Sequence, residues 1–85
     1  MFFVYILQSR KDKELYIGYT DNLRQRFKKH NLGLVRATKS RKPFRIAYYE
    51  AYASKQDSVK REHNLKLRVK ALKHLKNRIK SCFEA

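Results

Sequence analysis

The chain reads as an α+β domain, a three-stranded antiparallel sheet flanked by helices. Three observations predict it. Phe2 to Gln8 is a β-branched and aromatic run, apolar on both faces, as a strand with neighbours on either side must be. Leu15 to Thr20 is a second such run, separated from the first by a polar tip from Ser9 to Glu14, which is the pattern of a hairpin. Beyond a third run beginning at Phe44, apolar residues recur at helical spacing to the end of the chain.

Size and composition bound what such a fold does. With 85 residues the chain makes one domain, 1–85, near the lower limit for a self-supporting core. Hydrophobic residues are 42% and aromatics 13% of the chain, enough to pack that core despite 34% charged residues. The formal net charge of +15 draws polyanions and contributes little to the fold. Nucleic acid is the first candidate partner, ahead of an anionic membrane surface. The opening stretch Met1 to Leu7 is too short to span a bilayer and lacks a basic flank before it, so neither a membrane segment nor a secretion signal is expected. Cys82 is alone, which rules out an internal disulfide and suits a reducing cytoplasm.

Asp12 and Glu14 mark the hairpin turn. Thr20, Asp21 and Asn22 are all good N-caps, so a helix begins there, with Leu23 and Phe27 inward and Asn31 and Gly33 as the stop. Leu34 to Pro43 is a basic loop without a period. Phe44 to Ala53 is the third strand, expected to place Ile46, Tyr48, Glu50 and Tyr52 on one face and Ala47, Tyr49 and Ala51 on the other. Ser54 with Asp57 resembles a capping box and opens a helix to roughly Leu67. Leu72, Leu75, Ile79 and Phe83 continue the helical spacing, and the residues leave open whether one bent helix or two helices carry them.

With these elements placed, the chain resembles the GIY-YIG endonuclease superfamily, in particular its short standalone bacterial members, from about Phe2 to Lys80. Tyr16-Ile17-Gly18 matches the second name motif, and Phe3-Val4-Tyr5 resembles the first with Phe in place of Gly. Leu23-Arg24-Gln25-Arg26 followed by His30-Asn31 matches the first helix of the family. Lys42-Pro43-Phe44, Tyr49-Glu50, and then Lys60-Arg61-Glu62 with Lys66 continue the likeness in order. Two departures, Ala37 before Thr38 and helix-forming sequence after Lys66, bear on DNA positioning rather than on the chemistry.

The resemblance implies a DNA endonuclease with Tyr5, Tyr16, Arg26, His30 and Glu62 as catalytic residues. Phosphodiester hydrolysis needs a deprotonated water, a stabiliser for the equatorial oxygens and help for the leaving oxygen. A phenol with its ordinary pKa near 10 is a poor base unless cations stand nearby. By resemblance one of Tyr5 and Tyr16 takes the proton or orients the water while the other holds the phosphate, with Tyr5 preferred for the first role. Arg26 would offer the phosphate a bidentate guanidinium, which Lys replaces badly. Glu62 would hold one divalent cation, Mg²⁺ or Mn²⁺, acting as a Lewis acid. Of the seven carboxylates only Glu50 and Glu62 are free of turn, cap or tail positions, which favours one metal over two. His30 is open to three readings: a phosphate contact, a proton relay, or a cap on the first helix.

Arg36, Lys39 and Arg41 in the basic loop, and Lys66 one turn beyond Glu62, are the expected nucleic-acid contacts. The bland alternatives are an intrahelical Glu62–Lys66 pair, solvated lysines at 73, 76 and 80, and sheet packing for Tyr48, Tyr49 and Tyr52. On function, the leading expectation is a metal-dependent endonuclease acting on DNA, branched or damaged substrates of repair or recombination included. The alternatives are a basic DNA-binding module without cleavage and a nuclease subunit that needs a protein partner.

Overall fold

The computed structural model describes residues 1–84. The first hairpin pairs β1 (Phe2–Ser9) with β2 (Leu15–Thr20), and β3 (Phe44–Tyr52) joins the other side of β1. The order β2-β1-β3 makes β1 the central strand, fully antiparallel, which is why its residues are apolar on both faces. Val4 and Ile6 point to one side of the sheet, Tyr5 and Leu7 to the other. Helix α1 (Leu23–Asn31) covers the Tyr5 side with Leu23 and Phe27. Helices α2 (Lys55–Leu67), α3 (Val69–Arg78) and α4 (Lys80–Glu84) supply Leu65, Leu75, Leu72, Ile79 and Phe83 to the Val4 side. Leu65 and Leu75 are completely enclosed, each contributing about 1.5–3 kcal/mol by burial.

The caps are those the sequence supplies. The Asn22 side chain accepts from the Gln25 amide at the start of α1, and the Ser54 hydroxyl accepts from the Asp57 amide at the start of α2. Gly33, with φ of 75°, takes the left-handed conformation just past α1.

Two expectations are corrected here. Ile46 does not share a face with Tyr48. The register slips between Ile6 and Leu7, which face Tyr48 and Ile46 respectively, so Ala47 is an extra residue in β3. The bulge sends Phe44 and Ile46 to the Tyr5 side and leaves Tyr48, Glu50 and Tyr52 together on the opposite side. The second concerns Glu50, left open above as a carboxylate free of other duties, which is taken up by partners within the protein. Arg61 Nε and Nη2 donate to its two carboxylate oxygens at 2.9 and 3.1 Å, and the Tyr48 and Tyr52 hydroxyls donate to the same pair. Burial alone would push the Glu50 carboxyl up, but Arg61 and the two phenols outweigh it and hold it below its ordinary range. Burial and the adjacent carboxylate push both phenols up to about 12. The cluster fastens α2 to β3.

The C-terminal stretch resolves into separate helices rather than one bent helix. A straight helix from Lys55 to Glu84 would run about 45 Å, while the longest dimension of the domain is 28 Å. The apolar stripe reaches the core only by folding back, and Arg68 makes the break with φ −113° and ψ 106°. Leu67 and Val69 on either side of it stay 79% and 84% exposed. Among the described residues no helix is long and apolar enough to cross a membrane.

Candidate active site

The hairpin register places Tyr5 opposite Gly18, and Tyr16 opposite Leu7 two residues along, so the two phenols are diagonal neighbours on the α1 side. Their ring centroids lie 6.5 Å apart. Gly18 is there for space. A Cβ built on it would fall 2.4 Å from both Cζ and Oη of Tyr5, so the Tyr5 ring lies directly across the glycine.

The pair is not two equal phenols on a surface. Tyr5 is 1% exposed, whereas Tyr16 is half-buried. The Tyr5 hydroxyl is 2.9 Å from Nε2 of His30, itself completely enclosed on the last turn of α1. Nδ1 of His30 is 2.7 Å from Oγ1 of Thr38, whose own hydroxyl reaches the Val35 carbonyl at 3.5 Å. In the arrangement where the Thr38 hydroxyl donates to Val35, Nδ1 carries the imidazole proton and Nε2 is an acceptor. The Tyr5 hydroxyl therefore donates to His30. Arg26, which only donates, stands beside the same phenol oxygen and fits that assignment. His30 thus neither touches solvent nor caps α1. The amide of Leu32 does the capping through the main-chain carbonyls of Lys28 and His30.

Burial raises the Tyr5 pKa above its ordinary value, Arg26 opposes the rise, and the charges of Tyr16 and Glu62 add to it. Arg26 from α1 and Glu62 from α2 thus both act on the Tyr5 hydroxyl. Burial, reinforced by the Arg26 charge, lowers His30 to about 4 and keeps it neutral at neutral pH. An unfolded His30 with its ordinary value of 6.5 takes up a proton more readily than the folded one, so stability is complete above about pH 6.5 and declines as pH falls toward 4. The full loss is roughly 3 kcal/mol. Urea titrations between pH 7 and 5 should show this decline in wild type and a flatter response in His30→Gln. Glu50 and Asp12, both held low, add their own acid sensitivity from about their ordinary values of 4.5 and 3.8 downward, at the acid end of that window and beyond it.

Glu62 is the one candidate metal ligand at this place, and no cluster of three or more His, Cys, Asp or Glu able to hold a metal exists among the described residues. Its side chain is 16% exposed. Oε2 lies 3.3 Å from Nζ of Lys66 and Oε1 lies 3.7 Å from Nε2 of His63. Lys66 Nζ also sits 5.8 Å over the Tyr16 ring, which brings the second motif, Glu62 and Lys66 to one mouth.

A family model described as the GIY-YIG catalytic domain matches residues 1–79 of this chain. The chain belongs to the GIY-YIG family. Its GIY-YIG domain is 40% identical over 67 residues to a UPF0213 protein of Clostridium perfringens, covering 78% of this chain and 71% of that one. A UPF0213 protein of Staphylococcus aureus is 39% identical over 79 residues, covering 89% and 95%. The solution structure of a UPF0213 protein from Bacillus halodurans superimposes with a TM-score of 0.55 at 35% identity, covering 88% of this chain and 82% of that one. The family supports a nuclease-like role with DNA as the substrate class.

In this GIY-YIG domain the structure brings Tyr5, Tyr16, Arg26, His30, Glu62 and Lys66 into one neighbourhood, while Arg36 and Lys39 stay exposed on the loop before β3. Arg41 departs from expectation. Its Nε donates to Asp12 Oδ2 at 2.9 Å, its Nη2 reaches the Leu15 carbonyl at 3.4 Å, and its guanidinium lies 5.6 Å from the Phe44 ring centroid. It ties the loop to the hairpin through its ion pair with Asp12. Thr38 is the residue that sequence reasoning passed over. It is a buried threonine within an aperiodic basic loop, and only the fold brings it to His30.

Proposed function

We propose that this GIY-YIG domain is a divalent-metal-dependent DNA endonuclease that hydrolyses phosphodiesters at a single-cation site. The observation that carries the reading is the convergence of Tyr5 and Tyr16 from the hairpin, Arg26 from α1 and Glu62 from α2. The donor set fits one Mg²⁺ of the kind held by a single carboxylate, retained waters and substrate phosphate oxygens. Glu62 is the residue that would hold it. When bound, the cation supplies Lewis-acid polarisation of the phosphate.

The protein's own groups do the rest. A phenol whose pKa is raised does not serve as a standing phenolate, so Tyr5 accepts a proton from water only as its own proton leaves. His30 Nε2, at 2.9 Å, takes that proton only transiently, because a ring lowered to about 4 returns it through Tyr5 to solvent, and Thr38 keeps Nε2 unprotonated in the resting state by holding the other nitrogen's hydrogen. The water oxygen bonds to phosphorus in line with the 3′-oxygen, whose bond to phosphorus breaks and which takes a proton from solvent, leaving 5′-phosphate and 3′-hydroxyl ends. Arg26 donates to the equatorial oxygens as charge builds on them. Tyr16, half-buried at the mouth, holds the phosphate.

Supercoiled plasmid and branched DNA incubated with pure protein, with and without Mg²⁺, test the reading. Nicking that requires Mg²⁺ and falls by at least about 100-fold in Glu62→Gln is expected. Nicking unchanged in that variant would overturn the metal role. Tight DNA binding with no cleavage under any divalent ion would instead favour a basic binding module, which the net charge of +15 also suits.

A further inference from the structure

The mouth of the site is continuous with a groove that the chemistry above does not use. Tyr16, Lys66, Leu65, Leu72 and Lys76 line a depression of about 360 Å³ between the outer edge of β2 and α3. Lys66, Leu65, Leu72 and Lys76 also line a second depression of about 470 Å³, which Val69, Lys73 and Asn77 extend along α3. The two share four residues and form one trough running from the Tyr16 ring to the middle of α3. Lys73 and Lys76 are exposed, three residues apart on one helix face, with Lys66 at the Tyr16 end. Its floor is aliphatic, Leu65 and Leu72 beneath and the 84% exposed Val69 at the rim. Glu14 lies at the hairpin end of the trough and is its one acidic group.

We propose that one strand of the DNA substrate runs along this trough away from the scissile phosphate, with Lys73 and Lys76 on its phosphates and the aliphatic floor beneath its sugars. The proposal rests on the nuclease reading for its direction but not for its test. A row of ammonium groups above an apolar floor matches a polymer that alternates anionic phosphates with less polar sugars. A protein segment would have to be both acidic and apolar at the same spacing. Lys66 links the trough to the site, since its ammonium contacts both Glu62 and the Tyr16 ring. The break at Arg68 is what makes the trough, because a helix running straight on from α2 would carry Lys73 and Lys76 away from the sheet.

On a chain of net charge +15 any lost lysine weakens DNA binding somewhat, so the test compares positions at equal charge. Lys73→Gln/Lys76→Gln is set against Lys55→Gln/Lys60→Gln, two exposed lysines on α2 lining a separate depression. Binding of a fluorescent oligonucleotide is measured in EDTA across a salt series. The α3 pair is expected to lose at least about tenfold more affinity than the α2 pair. It should also reduce the slope of log K against log salt by about 1.4 to 1.8, as two lost phosphate contacts require. Equal losses in the two variants would overturn the proposal and leave only overall charge. Because EDTA prevents metal-dependent cleavage, a selective loss supports the trough even if the protein proves not to cut. Normal cutting with no selective loss refutes the trough alone.

Discussion

Tyr5→Phe is expected to lower the rate of DNA cleavage by about 10²- to 10⁴-fold, the range that a positioned proton-transfer group contributes. The ring stays, so its packing against Tyr16 and His30 stays with it. Only the hydroxyl is lost, and with it the hydrogen bond to His30 Nε2 at 2.9 Å. That leaves a buried acceptor without a donor, a cost of about 1–3 kcal/mol in stability. DNA affinity measured in EDTA should not change, because Tyr5 is enclosed and touches no phosphate before the water is activated. Thr38 supplies a graded companion. Thr38→Val keeps the shape but removes the acceptor for Nδ1–H, so the imidazole is free to adopt the other tautomer and cleavage should drop. Thr38→Ser restores the hydroxyl and should restore the rate. Nitrogen NMR of His30 reports the tautomer directly and needs no substrate. Cleavage by Tyr5→Phe at the wild-type rate would remove Tyr5 from the chemistry and leave Tyr16 as the base.

Much of this arrangement is legible in the residues, and the portion that is not has a physical cause. Strand alternation, N-caps and helical spacing are local signals, so β1, β2, α1 and the start of α2 fall where Val4, Asn22 and Ser54 say they should. The tyrosine pair, Arg26 and Glu62 were legible by resemblance, since the motifs are short and ordered along the chain. What depends on distant partners was not. Nothing near Ala47 marks it as the bulge, because the slip shows only in how β3 pairs with β1, about forty residues away. Nothing near Arg68 breaks a helix, and the domain's own dimensions force the turn. Arg41 resembles its loop neighbours until Asp12, twenty-nine residues away, claims it. Thr38 is an ordinary loop residue until α1 brings His30 above it. The unequal burial of the two phenols follows from the same long-range packing, since Tyr5 lies on the central strand between β2 and β3 while Tyr16 lies on the edge strand β2.

Gly18→Ala is expected to damage stability and activity together, and more than its single methyl group suggests. The backbone at Gly18 is not in the left-handed region, so an alanine meets no conformational penalty there. The obstacle is the Tyr5 ring, with Cζ and Oη at 2.4 Å and Cε2 at 2.9 Å from where the new Cβ must go. A flexible surface side chain would swing aside, but Tyr5 is 1% exposed and has the His30 ring at 5.8 Å and the Tyr16 ring at 6.5 Å. Either the hairpin spreads or the phenol moves off its hydrogen bond to His30. Overpacking of this kind costs about 1–3 kcal/mol, and each kcal/mol lowers Tm by roughly 4–8 °C in a domain of this size. Cleavage should fall toward the level of Tyr5→Phe, because both changes separate the phenol from its proton acceptor. The double variant Gly18→Ala/Tyr5→Phe still carries the ring carbons beneath the methyl, so it should recover neither stability nor rate. If Gly18→Ala melted and cut like wild type, the second motif's glycine would not be there to seat the first motif's tyrosine. The two motifs are therefore one structural unit, a phenol and the gap cut for it in the neighbouring strand.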